Sequence, residues 1–512
     1  MSFVLREDIG MPPRGSDNSN DDMELLRHKI DLLMTRMRIA VIHGNDKAAA
    51  GSVLYQTSNT RSWKSYEAVA NDIARSLRRL GFRHVEVMPD GMQLDERLRR
   101  NGIDMAWLNT GGIQGYNPAA HASSVLEMLG VPYVGHDPLA ATTLDNKHAF
   151  KREAVCAGIP TAAFSTWSMT RGPFKPEMNT RFKHAFGDYQ GPFVVKPVSG
   201  RASLHVHVVE SRAELPDAIN EVFQATENVV LIEKYLPGRE FCIGVAGPVT
   251  SRGRKLMLDG DPFTLSAIER TFEKEEKIFT SMDKRPITQD RFKKLDPVKD
   301  KALLERMHVI ACEVFREFNL SSLIRLDIRC DDKGDLYILE ANPKPDLKQP
   351  TQDVTSLISA GLSDCGMDYD DLIFSLMADR LHFLFTQRNE AVRHITDLLE
   401  PSAANIAPST HVLSIKAASE TLATNITELN RQKKALADTS ESPVPDLQVS
   451  STQLANCVQQ IDEAIERMHA AATELNLLAL NSAARAMGSD AADRPAAESA
   501  KPAEKPRKTQ AA

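Results

Sequence analysis

The sequence predicts an α/β domain, then an α+β domain, then an all-α tail. Three observations carry this. Apolar strand runs alternate with helical patterns between residues 36 and 140, the mark of a parallel α/β layer. Between residues 141 and 385 strands end in polar loops, and two of them read as a hairpin. From 386 to 487 glycines, aromatics and strand runs almost vanish, and apolar residues fall into heptad spacing.

The elements follow in order. Residues 1–35 read as a disordered arm, polar to about residue 22, and a short amphipathic helix over Met23–Met37. Arg38–Gly44 is a buried-strand pattern, Trp63–Leu80 a helix closed by Gly81, and His84–Met88 and Ile103–Asn109 are further strands. A helix over His121–Leu129 leads to Val131–Gly135. The next domain opens with one helix from Leu144 to about Gly158. A lid portion, residues 160–245, carries the strand Gly191–Pro197 with Lys196 near its end, the loop Ser199–Ser203, and the strands Leu204–Val209 and Val229–Leu236. Tyr369–Phe385 reads as a closing helix. In the tail, Ile415 to Leu436 and Leu454 to Ala479 form two heptad seams, with prolines between them, so a coiled-coil region is expected. Residues 488–512, rich in Ala, Pro and Lys, read as a disordered tail.

Composition narrows the function. A net charge of −7 gives no reason to expect nucleic acid or an acidic membrane as partner. The six cysteines show no CxxC pair, which suits a reducing cytoplasm. No stretch has the apolar length of a signal peptide or a membrane span.

The hairpin, Leu323–Arg329 and Leu336–Pro343 about the turn Asp331–Asp335, is the chemically richest stretch. Alternation puts Arg325 and Asp327 on one strand face, and Glu340 and Asn342 on one face of the return strand. Pairing about Lys333 is expected to gather one arginine and three oxygen ligands, a set that suits a hard divalent cation and nucleotide phosphates. Lys196, at the end of an apolar strand before a polar loop, can meet phosphate oxygens.

In this order Lys147, Lys196, Glu233–Glu240, Arg325-x-Asp327 and Glu340-x-Asn342 resemble the ATP-grasp fold, and more closely the D-alanine–D-alanine ligases. Supporting fragments are Leu108–Gly112, Gly130–Gly135, Gly158–Pro160, Gly238–Glu240 and Leu339–Pro343. The resemblance covers about residues 36–385. It implies that Lys147 and Lys196 hold ATP phosphates, that Glu233, Lys234 and Leu236 flank adenine, and that Glu240 holds the ribose. It implies that Asp327, Glu340 and Asn342 bind a pair of magnesium ions, or manganese in their place, and that Arg325 stabilises a tetrahedral intermediate. An acyl phosphate formed on one amino acid is then attacked by the amine of a second.

Departures fall on the substrate side. The glutamate that such ligases carry shortly after the first strand's His-Gly is absent from His43–Gly51. Asp346 stands in place of a glycine and Thr351 in place of a serine, and both are kept as substrate-side candidates. In the tail, Leu475–Ala486 resembles a run of chemoreceptor signalling hairpins and equally fits a generic Ala/Leu-rich coiled coil. The expectation is a cytoplasmic ATP-dependent ligase of small amino acids, homo-oligomeric, with a protein partner possible through the C-terminal helices. The alternatives are a ligase of other amino or hydroxy acids, and an ATP-binding assembly or regulatory protein working through the tail.

Overall fold

A computed structural model describes residues 19–56, 65–115, 117–200, 203–259, 261–272, 276–278, 288–351, 355–386, 395–396 and 398–399. The expected arm over residues 1–18, the heptad seams, the chemoreceptor-like run and the tail of residues 488–512 lie outside them. Residues up to Leu399 form one compact unit, and it continues past the expected boundary at residue 385. Ile395 is fully buried in the same core as the N-terminal helix.

That helix, α1 (Ser19–Met34), buries Met23, Leu26, Ile30, Leu33 and Met34, spaced to fall on one face. The first sheet is parallel: β1 (Arg38–His43), β2 (His84–Pro89), β3 (Met105–Asn109) and β4 (Tyr133–Val134) lie in the order β2-β1-β3-β4. Between them run α2 (Glu67–Leu80), α3 (Leu94–Arg100) and α4 (His121–Leu129). Gly81 ends α2 at φ 115°, its N–H bonded back to Leu77 and Arg78 carbonyls.

The single helix expected from Leu144 is two, α5 (Pro138–Asp145) and α6 (Lys147–Cys156). Asn146 is extended and its side chain accepts from the His148 and Ala149 N–H groups, so it stops one helix and caps the next.

The lid carries β5 (Phe164–Trp167), α7 (Thr180–Phe186), β6 (Phe193–Pro197), β7 (His207–Val209), α8 (Leu215–Thr226) and β8 (Val230–Lys234). Its antiparallel sheet, β5-β8-β6-β7, closes over a separate core that includes Phe174, Phe182, Phe186 and Phe193.

The remaining strands are β9 (Glu240–Ala246), β10 (Val249–Arg252), β11 (Lys255–Leu258), β12 (Phe263–Arg270), β13 (Phe292–Lys294), β14 (Ile324–Cys330) and β15 (Leu336–Asn342), with α9 (Lys301–Glu317) before β14 and α10 (Tyr369–Thr386) after β15. The central sheet is β13-β12-β9-β14-β15. Phe241, Ile243, Ile324, Leu326, Ile328, Ile338 and Ala341 share one core with Met307, Ala311 and Val314 of α9. Alternation sends Glu240, Arg325, Asp327 and Arg329 to the opposite face.

The β14–β15 register corrects the expected pairing. Cys330–Leu336 and Ile328–Ile338 pair symmetrically about Lys333, but the next pairs are Asp327–Glu340, Leu326–Ala341 and Arg325–Asn342. Leu339 is the extra residue of a β-bulge. Strictly regular pairing places Leu339 opposite Asp327 and turns Glu340 to the α9 side, because the side-chain period is two. The bulge puts the carboxylates in direct register.

Candidate active site

The lid sheet and the central sheet enclose a cleft lined by residues of both, among them Lys147, Lys196, Glu233, Glu240, Arg325, Asp327, Glu340 and Asn342. Every nucleotide, metal and catalytic candidate read from the sequence lines it, and Asp346 does too. Thr351 does not: it is exposed and outside the lining.

At the lid side, Val194 pairs with Glu233 and Lys196 with Leu231, so Lys196 and Glu233 are diagonal neighbours. Lys196 Nζ lies 2.5 Å from Glu233 Oε2, and Lys151 Nζ 2.6 Å from Oε1. Lys151 follows Lys147 by four residues on α6 and so shares its face. Burial alone pushes the Glu233 carboxyl up, but Lys151 and Lys196 outweigh it and hold it at about 2. Burial pulls Lys151 below its ordinary range despite Glu233. Burial also works against Lys196, yet Glu233, Glu340 and Glu240 raise it, so Lys196 holds its proton the more firmly. Glu233 thus fixes two buried ammonium groups, of which Lys196 lines the cleft.

On the central sheet, Asp327 accepts from Arg325 Nε at 2.8 Å and Nη2 at 3.0 Å, and from Arg270 Nη2 at 2.9 Å. Burial opposes ionisation of Asp327, but Arg270 and Arg325 keep its carboxyl well below the usual range. Arg270 Nη1 also donates to Glu240 at 2.6 Å, and Arg329 Nη1 reaches the other Glu240 oxygen at 3.3 Å. Glu340 Oε2 lies 2.9 Å from Lys147 Nζ. Glu240 is therefore held by two guanidiniums in a buried position. Gly238, just before it, donates its N–H to the Cys330 carbonyl, and a Cβ there would lie 2.6 Å from the Asp331 carbonyl oxygen. Only glycine lets that loop press against the hairpin.

The donor set fits a hard cation by type. Asp327, Glu340 and Asn342 present carboxylate and amide oxygens from adjacent, in-register strand positions. The buried Asn342 Nδ2 makes no hydrogen bond among the described residues. Among those residues no group of three or more His, Cys, Asp and Glu forms a metal cluster, so the asparagine oxygen is needed to complete a set.

The family model for the D-ala D-ala ligase C-terminus matches residues 155–378. Over this segment the chain is similar to the C-terminal part of the D-alanine–D-alanine ligases. It is 28% identical over 342 residues to the D-alanine–D-alanine ligase of Gloeobacter violaceus, covering 66% of this chain and 97% of that protein. To the ligase of Lacticaseibacillus casei it is 26% identical over 290 residues, 56% of this chain and 71% of the other. The crystal structure of the Bacillus anthracis D-alanine–D-alanine ligase complexed with ATP aligns with a TM-score of 0.48 at 21% identity, covering 68% of this chain and 98% of that one.

Motif reading passed over Arg270, Arg329, Tyr66 and Lys344, which line the cleft, and Lys151, buried behind it against Glu233. Lys151 had a signal in its helical spacing from Lys147, and Arg329 in its alternation with Arg325 and Asp327. Arg270 had none, because β12 carries a register shift between Leu265 and Ile268. Tyr66 was read as part of a helix from Trp63, but α2 starts at Glu67 and Tyr66 is its cap, while Lys344 sits between two prolines in a segment without periodicity. Among the described residues no helix is long and apolar enough to cross a membrane.

Proposed function

We propose that this chain is an ATP-dependent carboxylate–amine ligase of the D-alanine–D-alanine ligase type, joining two small amino acids through an acyl phosphate. The observation that carries the reading is the bulged hairpin. It sets Arg325, Asp327, Glu340 and Asn342 on one wall of a cleft whose other elements contribute Lys147 and Lys196. Phosphoryl transfer asks little of a protein beyond positioning and neutralisation of charge. Here Lys147 and Lys196 take phosphate oxygens, and Val194, Leu236 and Leu339 offer apolar faces for a purine. Lys234 and Glu233 border the same region, and Glu240, fixed by Arg270 and Arg329, presents its edge toward the ribose.

Asp327, Glu340 and Asn342 would hold magnesium, which when bound supplies positive charge beside the phosphates. Arg325 faces the charge that develops on the attacked carbonyl, and such a group works by favouring the transition state over the ground state. ATP binding alone needs no arginine there, which favours ligation over a purely regulatory role. Residues 386–487 remain proposed as a helical region for self-association or a protein partner.

The test is ADP release across D- and L-amino acids and hydroxy acids, with magnesium and ATP. Release that depends on a pair of substrates supports the reading. ATP binding with no release from any pair removes it in favour of the regulatory alternative.

A further inference from the structure

Lys151 is fully buried and does not line the cleft. A lysine is almost never buried to this degree without a partner. Its Nζ bonds elements of both sheets. On the lid side it lies 2.6 Å from Glu233 Oε1 on β8. On the central side it donates to Thr161 Oγ1 at 2.5 Å and reaches the Ile338 carbonyl of β15 at 3.5 Å. Thr161 Oγ1 itself donates to that carbonyl at 2.9 Å. Ile338 is the last regular ladder position before the bulge at Leu339. One helical turn earlier, Lys147 makes the same crossing. Its backbone N–H donates to the Val198 carbonyl and its Nζ to the Gly200 carbonyl, both in the lid, and its Nζ pairs with Glu340 just past the bulge. Helix α6 therefore ties the lid to β15 at two points about 5.4 Å apart along its axis, one on each side of Leu339.

Charge balance does not call for Lys151. Lys196 alone neutralises Glu233, from 2.5 Å. Burial draws Lys151 below its ordinary range, so its charged form is held at a cost. Methionine fills nearly the same space without that cost, and Lys196 stays to compensate Glu233. What methionine lacks is the bond across. Without it, Glu233 and Lys196 hold only each other, and nothing fixes the pair against β15. Placement matters at this point, since a misplacement of about 1 Å costs a phosphoryl-transfer site up to about 100-fold.

We propose that Lys151 is a positioning residue of the nucleotide site. It holds Glu233 to the foot of the bulge, and Glu233 in turn holds Lys196 in a set position relative to Glu340, across the space that a nucleotide's phosphates span. The proposal rests on the nucleotide reading of the cleft. It assigns part of the affinity for phosphate to a side chain that phosphate does not touch.

The test is calorimetric binding of ATP and of adenosine, with magnesium, to the full-length protein and to Lys151→Met, Lys196→Met and the double variant. Adenosine carries no phosphate, so the ratio of the two affinities isolates the phosphate end of the site. Unfolded molecules lower the measured stoichiometry and leave that ratio unchanged. The wild type is expected to prefer ATP. Lys151→Met should lower the ratio about 10-fold, the scale of one charge-assisted hydrogen bond made poorly, with adenosine affinity kept. Lys196→Met should lower it at least as far. Adding Lys151→Met to Lys196→Met should then change the ratio by less than about 2-fold, because the first residue acts through the second. If Lys151→Met yields no folded protein, Thr161→Val reads the same tie. It removes the hydroxyl between Lys151 and Ile338, leaves the Lys151–Glu233 pair in place, and should lower the ratio in the same direction. A ratio unchanged in the variant that folds, or effects that multiply in the double variant, overturns the assignment and leaves Lys151 a buried structural pair. A wild type with no preference for ATP removes the nucleotide reading itself, and the proposal falls with it.

Discussion

The two ends of the cleft are built by different means. The end proposed for nucleotide and metal stands on strands and on helix α6, with each charge locked by an opposite one: Glu233 between Lys151 and Lys196, Asp327 between Arg270 and Arg325, Glu340 on Lys147. The other is a proline-rich loop whose lysine, Lys344, rests on the Tyr66 ring from a separate layer. Strand positions are fixed by register, so their chemistry changes only with the sheet. A loop can exchange its side chains while the sheet stays as it is. Of the sequence departures from the ligase pattern, Asp346 lies in this loop, and none falls on the strand positions Arg325, Asp327, Glu340 and Asn342.

The strongest way to break this comparison is Glu340→Gln. It removes a carboxylate charge from the in-register pair and should lower ligation by at least about 1,000-fold with the fold kept. Near wild-type turnover at millimolar magnesium, with an unchanged circular dichroism spectrum, would refute the metal assignment. Arg325→Ala comes next. Coupling should fall about 100- to 1,000-fold while calorimetric ATP affinity stays near normal, because the guanidinium acts on charge present only during reaction. A collapse of ATP affinity with residual coupling unaffected would show that the role is wrong.

The lid's ion pairs give a pH signature. The Glu233 carboxyl sits at about 2 in the folded protein against an ordinary 4.5. Its folded value is depressed, so its contribution is present above pH 4.5 and is lost as pH falls toward 2. That loss is about 3 kcal/mol. Urea titrations stepped through this window should show it, and Glu233→Gln should flatten that limb while lowering stability at pH 7, since it leaves two buried ammonium groups without their carboxylate. An acid limb unchanged by the substitution would place the depressed group elsewhere.

Two smaller effects sharpen the contrast. Truncation after Leu399 should retain ATP binding and lower the oligomeric state by light scattering, because residues 415–479 carry the heptad seams. Equal subunit numbers would leave only pairing within one chain. Thr351→Ala should change the KM of either amino acid by less than about 3-fold, as expected of an exposed side chain outside the cleft. A larger rise in the KM of either amino acid would keep Thr351 as a substrate-side residue.

Legibility in the sequence follows the same division. Asp327, Glu340 and Asn342 could be placed because the strand period says which residues share a face, Lys196 because it ends an apolar strand, and Lys147 only through the resemblance. The bulge at Leu339 could not: a period of two carries no mark for an extra residue, and the face of Glu340 was reached by a register that does not occur. The α5–α6 break was hidden because Asn146 within a helical pattern reads as one more helical residue until its cap bonds are seen. Lys344 was passed over because its meaning depends on Tyr66, distant in the chain and joined to it only by the fold. Lys151 and Arg270 needed their partners in view before burial made sense of them.

The bulge makes the hairpin unequally tolerant of changes in chain length. Residues 332–335 are exposed in a turn beyond the last ladder pair, Cys330–Leu336. An insertion there lengthens a loop and leaves every pair back to Arg325–Asn342 in place. Deleting Leu339 removes the extra residue and closes the ladder into regular pairing, with Glu340 still opposite Asp327 and Asn342 still opposite Arg325. Loss of Ala341 instead moves Asn342 opposite Leu326 and off the face of Arg325, so one hairpin tolerates drift in length at its tip and at its bulge but not between Glu340 and Asn342.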